Sequence, residues 1–548
     1  MAMRPRAPRR PIALAGLLAS VILALSTGPA AAANFPAKDS RYHSYTEMVA
    51  EIKAVEAAKP SIVDVFSIGK SYQNRDIWVA KISDNVAVDE AEPEILFDAL
   101  HHAREHMTVE QALNLLHVLA DGYGFDATVT GLVNTREIWI IFAVNPDGFE
   151  YDLTCTSGSH APYCAWRKNR QPNAGTSAIG TDVNRNYDYR WGCCGGSSGS
   201  PSSITYRGPS AFSAPETRVI RDFVNGRVIG GIQQIRAHIT FHTNGELILW
   251  PYGYTKTDIP ADMSVDDHSV FVTVGKGMAA RNGYRAEQSS DLYITDGDQI
   301  DWLYGRYRIF SYTWELYPPE TATVWGDHYP PDETIAAQTA RNRNALLYFI
   351  SAGGCPWDSI GRGNLNCGPF FDDAEINRGW TVNPDGTDTA PVAARFARGD
   401  AVATTSAGLA MQLGPAVDGV SIWGTGLAAG ASADANDLDG TTTIRSAAIA
   451  LPAAPGQLSF RYTFAHVANS SSADWLKVWV EAPGGQRTLV FRRYGSSIPT
   501  AGKWQVAAAS LNFWAGQSIR IVIGASDGGP DSLVEAGIDD IRVERPVT

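Results

Sequence analysis

Four apolar runs in the first two-thirds of the chain each lead into residues able to do chemistry. Glu94–Leu100 runs into His101-His102, Glu137–Val144 into Asn145-Pro146-Asp147-Gly148, His238–Phe241 into His242, and Ile309–Thr313 into Glu315. Between these runs apolar residues recur at helical spacing, as at Val109, Ala112, Leu115, Leu116 and Leu119. Buried strands alternating with amphipathic helices from about Asn34 to Ala352 predict an α/β domain around a largely covered sheet. In such a sheet ligands sit beyond the carboxyl ends of the strands, so groups distant in sequence converge there.

Past Ala352 the texture changes. Gly353-Gly354-Cys355-Pro356 opens a stretch rich in Gly, Asn and Asp, and after Phe371 short alternating runs are separated by turn residues. Leu458, Phe460, Tyr462 and Phe464 share one strand face, Ile519, Ile521 and Ile523 repeat the pattern, and Pro483-Gly484-Gly485 and Gly528-Gly529-Pro530 supply turns. The expected organisation is an α/β domain over 34–353, a cysteine-containing linker over 354–371 and an all-β sandwich over 372–548.

Residues 1–33 read as a secretory signal peptide: Arg4, Arg6, Arg9 and Arg10 precede the apolar run Ile12 to Leu25, and Ala30 to Ala33 follow. That run is shorter than the roughly 20 residues a spanning helix needs, so the mature chain is expected to be extracellular and free of the membrane. With 45 basic and 58 acidic residues the net charge is −13, and no basic block exists to neutralise a phosphate backbone; nucleic acid is excluded as a partner. Six cysteines in an exported chain predict disulfides. Cys355 and Cys367 are expected to pair, and Cys193 and Cys194, being adjacent, are each expected to cross to Cys155 or Cys164.

His102-Ala103-Arg104-Glu105 places two metal-ligand types three residues apart, at the point where a strand gives way to a helix. Alone the spacing is weak. A catalytic zinc site wants three protein ligands and an open position, and His242 can supply the third, although a histidine in an apolar strand end is ordinarily a packed core residue.

At this point the residues resemble the zinc carboxypeptidase family, represented by the pancreatic carboxypeptidases and bacterial carboxypeptidase T. The resemblance spans nearly all of 34–352. It rests on His102-Ala103-Arg104-Glu105, Asn145-Pro146-Asp147-Gly148, Trp166-Arg167-Lys168, Asp182-Val183-Asn184-Arg185-Asn186, Pro251-Tyr252-Gly253-Tyr254, Ile300-Asp301-Trp302 and Thr313-Trp314-Glu315-Leu316, in family order. It implies a mixed, largely parallel sheet flanked by helices, one catalytic zinc ion, and hydrolysis of C-terminal residues from peptides and proteins. A two-histidine, one-glutamate zinc site is a known example from this family, so the ligand set His102, Glu105 and His242 comes from the resemblance and not from spacing.

By the same resemblance, Glu315 is the general base and Arg167 donates to the carbonyl oxygen as it gains charge. Asn184 and Arg185 grip the terminal carboxylate, Tyr293 closes over the bound residue, and Arg104 helps position the chain. Ile300 stands where enzymes preferring hydrophobic ends are apolar. Asp298 resembles the carboxylate of carboxypeptidase T associated with dual specificity, so hydrophobic and basic ends are both expected. His101 and His106 match no role and are expected behind the ligands or exposed. Asn244 replaces a tyrosine of the pancreatic enzymes and is expected to alter a subsite wall. Tyr42-His43-Ser44-Tyr45 already resembles the start of the catalytic domain, so no folded pro-domain is expected.

More loosely, Asp372 to Thr548 resembles the jelly-roll domains of secreted bacterial hydrolases. Asp434, Asp437, Asp439 and Asp540 are candidates to hold calcium, and Trp423, Trp475 and Trp479 to stack on a carbohydrate. Two other functions fit the sequence: a peptidase acting on peptidoglycan stem peptides, and a binding protein with a degenerate peptidase domain.

Overall fold

The computed structural model describes residues 34–545 except 91, 230–231, 322, 418, 429–431 and 530–531. The expected signal peptide, residues 1–33, lies outside the described residues.

Eight strands form the central sheet: β1 (Val63–Lys70), β2 (Asp76–Ile82), β3 (Glu94–Ala99), β4 (Glu137–Ile141), β5 (Ile235–Thr243), β6 (Leu247–Trp250), β7 (Arg285–Gln288) and β8 (Phe310–Leu316). Their order is β1-β2-β4-β3-β5-β8-β6-β7. The middle of the sheet, β4-β3-β5-β8, is parallel throughout, and antiparallel pairings join β1 to β2, β2 to β4 and β8 to β6. Both faces are covered, which explains why β3 and β4 are buried along their whole lengths. Alternation sorts their side chains: Ile95, Phe97, Ile138 and Ile140 join the core that holds the helix Met107–Gly122, while Leu96, Trp139 and Ile141 join the core on the other side with Ile220 and Trp302.

The strand ends set the geometry of the site. The sequence reads His242 and Glu315 at the ends of their strands, and the ladder runs one residue past each, to Thr243 and Leu316. In the parallel β5-β8 register Glu315 lies opposite His242, so the two are lateral neighbours.

The C-terminal region is a sandwich of two antiparallel sheets. In one, Val534–Val543 lies between Ile422–Gly424 and Gln457–His466; in the other, Ser518–Asp527 lies between Gly440–Arg445 and Trp475–Glu481. Leu458, Phe460, Tyr462, Phe464, Ile519, Ile521 and Ile523 all face its core, as the alternation predicts. Phe370–Asp372 already pairs with Val534–Val543, so the sandwich begins two residues before the expected boundary.

Three further expectations need correcting. Cys155 pairs with Cys164 and Cys193 with Cys194, at Cα separations of 5.3 and 3.7 Å. The reason is local: Cys155 N–H donates to Pro162 O and Cys164 N–H to Asp152 O, which folds that loop back on itself and brings its two sulfurs together. Cys355–Cys367 forms as expected. Trp423 is buried against Trp380 in the sandwich core and offers no ligand platform, whereas Trp475 and Trp479 lie edge to face, centroids 5.8 Å apart, on a partly exposed strand. The four aspartates proposed for calcium do not assemble: Asp540 is taken by Arg461 and Arg542, and none of the four belongs to a metal-sized group among the described residues. Among those residues no helix is long and apolar enough to cross a membrane.

Candidate metal centre and substrate cleft

The turn from β3 into the helix Met107–Gly122 presents His102 and Glu105, and a second turn braces it from below. Val144 N–H donates to Ala99 O, Asn145 N–H to Leu100 O, and the Asn145 amide to His101 O at 3.1 Å. Gly148 lets the two turns close, since a Cβ there would lie 2.8 Å from the Ala103 Cβ and 2.7 Å from Lys168 O. This accounts for Asn145-Pro146-Asp147-Gly148 as a structural support.

His102, Glu105 and His242 are buried and converge on one point. His102 Nδ1 is 2.7 Å from Glu105 Oε1, His242 Nδ1 is 3.0 Å from Glu105 Oε2, and the two Nδ1 atoms are 3.1 Å apart. Donors around a tetrahedral zinc ion with bonds of ~2.0–2.1 Å stand about 3.3 Å apart, close to these distances. Two imidazole nitrogens and a carboxylate turned toward one point are donors of the kind a shared cation takes. The donor set therefore fits zinc.

The outer nitrogens are held as well. His102 Nε2 lies 3.2 Å from Asp182 Oδ1, and Asp182 Oδ2 accepts from Arg167 Nε at 3.0 Å. Asp182 thus ties a ligand to the cleft arginine, a carboxylate behind a histidine being the usual way such a ring is oriented. Burial opposes ionisation of Asp182 and Glu105, but cationic neighbours outweigh it and hold both carboxyls below their ordinary values. Burial likewise opposes a charged His242, yet Glu105 keeps that imidazole above its usual value.

Glu315 behaves differently. Burial pushes its carboxyl up to about 8, with only partial relief from His242 and the arginines, and its Oε2 has no hydrogen-bond partner. An open carboxylate oxygen beside a metal-sized donor set is the arrangement a general base requires.

All eleven residues singled out in the sequence line two confluent cavities. The outer one is bounded by His102, Arg104, Glu105, Arg167, Tyr293 and Glu315, and also by Asn244. The inner one, of about 370 Å³, is bounded by Asn184, Arg185, His242, Asp298 and Ile300 and shares His102, Tyr293 and Glu315 with the first. Arg185 is anchored by Nε to Gly196 O at 3.0 Å and by Nη1 to Asn184 O at 2.6 Å. Asn184 accepts from Gln299 N–H at 3.0 Å, which turns its amide nitrogen toward His242 Nε2 at 3.4 Å. Tyr293 is 49% exposed at the mouth, its ring 6.0 Å from the Arg185 guanidinium. Asp298 caps the helix Gln299–Tyr307, accepting from Asp301 N–H at 2.9 Å and from the Thr295 hydroxyl.

His101 and His106 are both buried, which removes the exposed alternative. His101 Nε2 meets the Tyr187 hydroxyl at 2.9 Å and its ring lies 5.5 Å from that of His242; His106 sits 3.0 Å from Asp152 among Phe35, Phe149 and Tyr329. Asp182, which joins His102 to Arg167, is the site residue that sequence reasoning passed over, although a carboxylate two residues before Asn184 in the same motif was available as a signal. Leu249 and Thr313 also line the inner cavity unforeseen.

A family model for zinc carboxypeptidase matches residues 48–345. Over 329 residues the chain is 49% identical to a zinc carboxypeptidase of Saccharothrix mutabilis subsp. capreolus, covering 60% of this chain and 73% of that protein. Carboxypeptidase A2 of Rattus norvegicus is 32% identical over 278 residues, covering 50% of this chain and 62% of its own length. The crystal structure of thrombin activatable fibrinolysis inhibitor superposes with a TM-score of 0.50 and 25% identity, over 58% of this chain and 76% of that one. The chain therefore belongs to the zinc carboxypeptidase family, hydrolases of the exopeptidase class.

Proposed function

We propose that this protein is a secreted metallocarboxypeptidase that releases single residues from the C-termini of peptides and proteins. The observation that carries this reading is the convergence of His102, Glu105 and His242 beside the unpartnered oxygen of Glu315. When bound at those three ligands, zinc supplies a Lewis acid that polarises the scissile carbonyl and makes water acidic enough to attack near neutral pH. Glu315 takes the proton from the attacking water and delivers it to the departing amine. Arg167, fixed by Asp182, donates to the carbonyl oxygen as negative charge develops there. Arg185 and Asn184 hold the terminal carboxylate, Arg104 positions the preceding chain, and Tyr293 at the mouth closes over the bound residue.

Ile300 and Leu249 give the inner cavity apolar wall, and Asp298 gives it a carboxylate, which supports acceptance of both hydrophobic and basic ends. Export is supported by the character of residues 1–33 and by three disulfides, which persist in oxidising compartments.

Product mass spectra from matched peptides ending in Phe, Leu, Arg and Glu test the proposal. Stepwise loss of terminal Phe, Leu and Arg that stops on chelation and returns with zinc is expected. Internal cleavage, release of Glu alone, or undiminished activity after chelation overturns it. Exclusive cleavage of peptidoglycan stem peptides would replace the substrate class while keeping the chemistry.

A further inference from the structure

We propose that the crevice between the peptidase sheet and the sandwich is a binding site for an oxyanion. The crevice, of about 680 Å³, is lined by Arg236 from β5, Arg308, Arg378 and the aromatic rings of Trp357 and Phe371. Among the described residues no aspartate or glutamate lines it, in a chain whose net charge is −13. This is a separate place from the metal centre, and the inference does not rest on the peptidase reading.

The three arginines are not equivalent. Arg308 is neutralised by the sandwich: its Nη2 donates to Glu375 at 3.3 Å, and Asp373 lies 4.0 Å from its Nε. It forms a wall. Arg236 has a hydrogen bond to Gly354 O at 3.1 Å, and the charged groups acting on it are the guanidiniums of Arg545, Arg136 and Arg378. Burial, reinforced by those three like charges, pushes it down to about 10. Arg378 has a buried Nε with no partner. Asp372, close enough to feel Arg378, has its oxygens engaged elsewhere, accepting from the Trp380 indole and from Ala374 N–H, while burial pushes its carboxyl up to about 6. Arg545 is spoken for by Asp358 at 3.2 Å.

Two half-buried guanidiniums with spare donors, set together with like charges, lack an anionic acceptor among the described residues. A planar fork of N–H donors matches a carboxylate, sulfate or phosphate group in particular. The flanking rings, Phe310 on Trp357 at 4.9 Å and Trp357 on Phe371 at 5.9 Å, can accommodate an apolar or aryl body attached to that group.

Calorimetric titration of the full chain with sodium sulfate and, separately, sodium benzoate, at ionic strength held constant with sodium chloride, tests this. Saturable binding of at least one anion is expected. It should weaken about tenfold or more in Arg236→Gln and in Arg378→Gln, and by less in Arg378→Lys, which keeps the charge but loses the fork. Tighter benzoate identifies an organic carboxylate as the ligand; tighter sulfate identifies a free inorganic anion. Because Arg236 lies in a strand and its variant can fail for structural reasons, Arg378→Gln and a selenate-soaked crystal of the unaltered chain provide independent readings. Absence of saturable heat with both anions, affinity unchanged in Arg378→Gln, or selenium density away from Arg236 and Arg378 overturns the proposal.

Discussion

The metal centre and the sandwich both bury carboxyl groups, and Glu105 and Asp182 in the first are treated in the opposite way to Asp539 and Asp372 in the second. In the sandwich, Asp539 accepts from the Val417 and Asp540 N–H groups, and Asp372 from Ala374 N–H and the Trp380 indole. Burial wins there, and Asp539 rises to about 9. At the metal centre Glu105 and Asp182 are as deeply buried, but histidines and an arginine stand against them and hold them ionised. Burial by itself therefore does not mark a working carboxylate. The sign of the neighbouring charge and an opening onto a cavity do.

The largest test of that contrast is Glu315→Gln. Turnover of a Phe-terminated peptide is expected to fall by about 10²–10⁴-fold, the usual worth of a positioned proton-transfer group, with zinc content and melting temperature unchanged. Retained turnover would place Glu315 with the inert acids of the sandwich. Arg167→Gln should lower kcat by roughly 10²–10³-fold, as for loss of one donor to a developing oxyanion; a rise confined to KM would count against that role. A smaller effect is expected from Asp182→Asn, about 10–100-fold in zinc affinity by chelator competition, because the amide cannot hold both the His102 ring and Arg167 as a charged carboxylate does.

The gentlest test lies in the sandwich. Asp539 is raised from 3.8 to about 9, so between those values the folded state keeps a proton that the unfolded chain has lost. Its contribution to stability is whole below the lower value and declines as pH rises, by at most about 1.4 kcal/mol per pH unit. Denaturation midpoints at pH 5, 7 and 9 should fall with rising pH, and Asp539→Asn should flatten the trend. An identical slope in that variant would show that another group governs it.

Much of this was legible before any coordinates. Largely apolar runs such as Glu94–Leu100 announced strands covered on both faces, and the spacing of Val109 through Leu119 announced the helix behind the metal turn. Eight of the eleven candidate residues were read from motifs in a fixed order and His242, Tyr293 and Asp298 from single positions, and the two cavities are lined by all of them. What escaped the sequence was relational. Asp182 matters through the two groups it joins, His101 and His106 through what covers them, and the cysteines through a loop closed by backbone hydrogen bonds that no spacing rule encodes. The crevice at the junction draws arginines from residues 236, 308 and 378, which share no motif.

His242 and Glu315 face each other across adjacent parallel strands, so their partnership is written in ladder register and not in the conformation of a loop. Deleting any single residue between Ile235 and Phe241 would rotate His242 to the far side of the sheet while Glu105 and His102 stayed where they are. Insertions and deletions will thus be punished within β5 and β8, where arithmetic parity matters as much as residue identity, as they will in the β3 turn that carries His102 and Glu105.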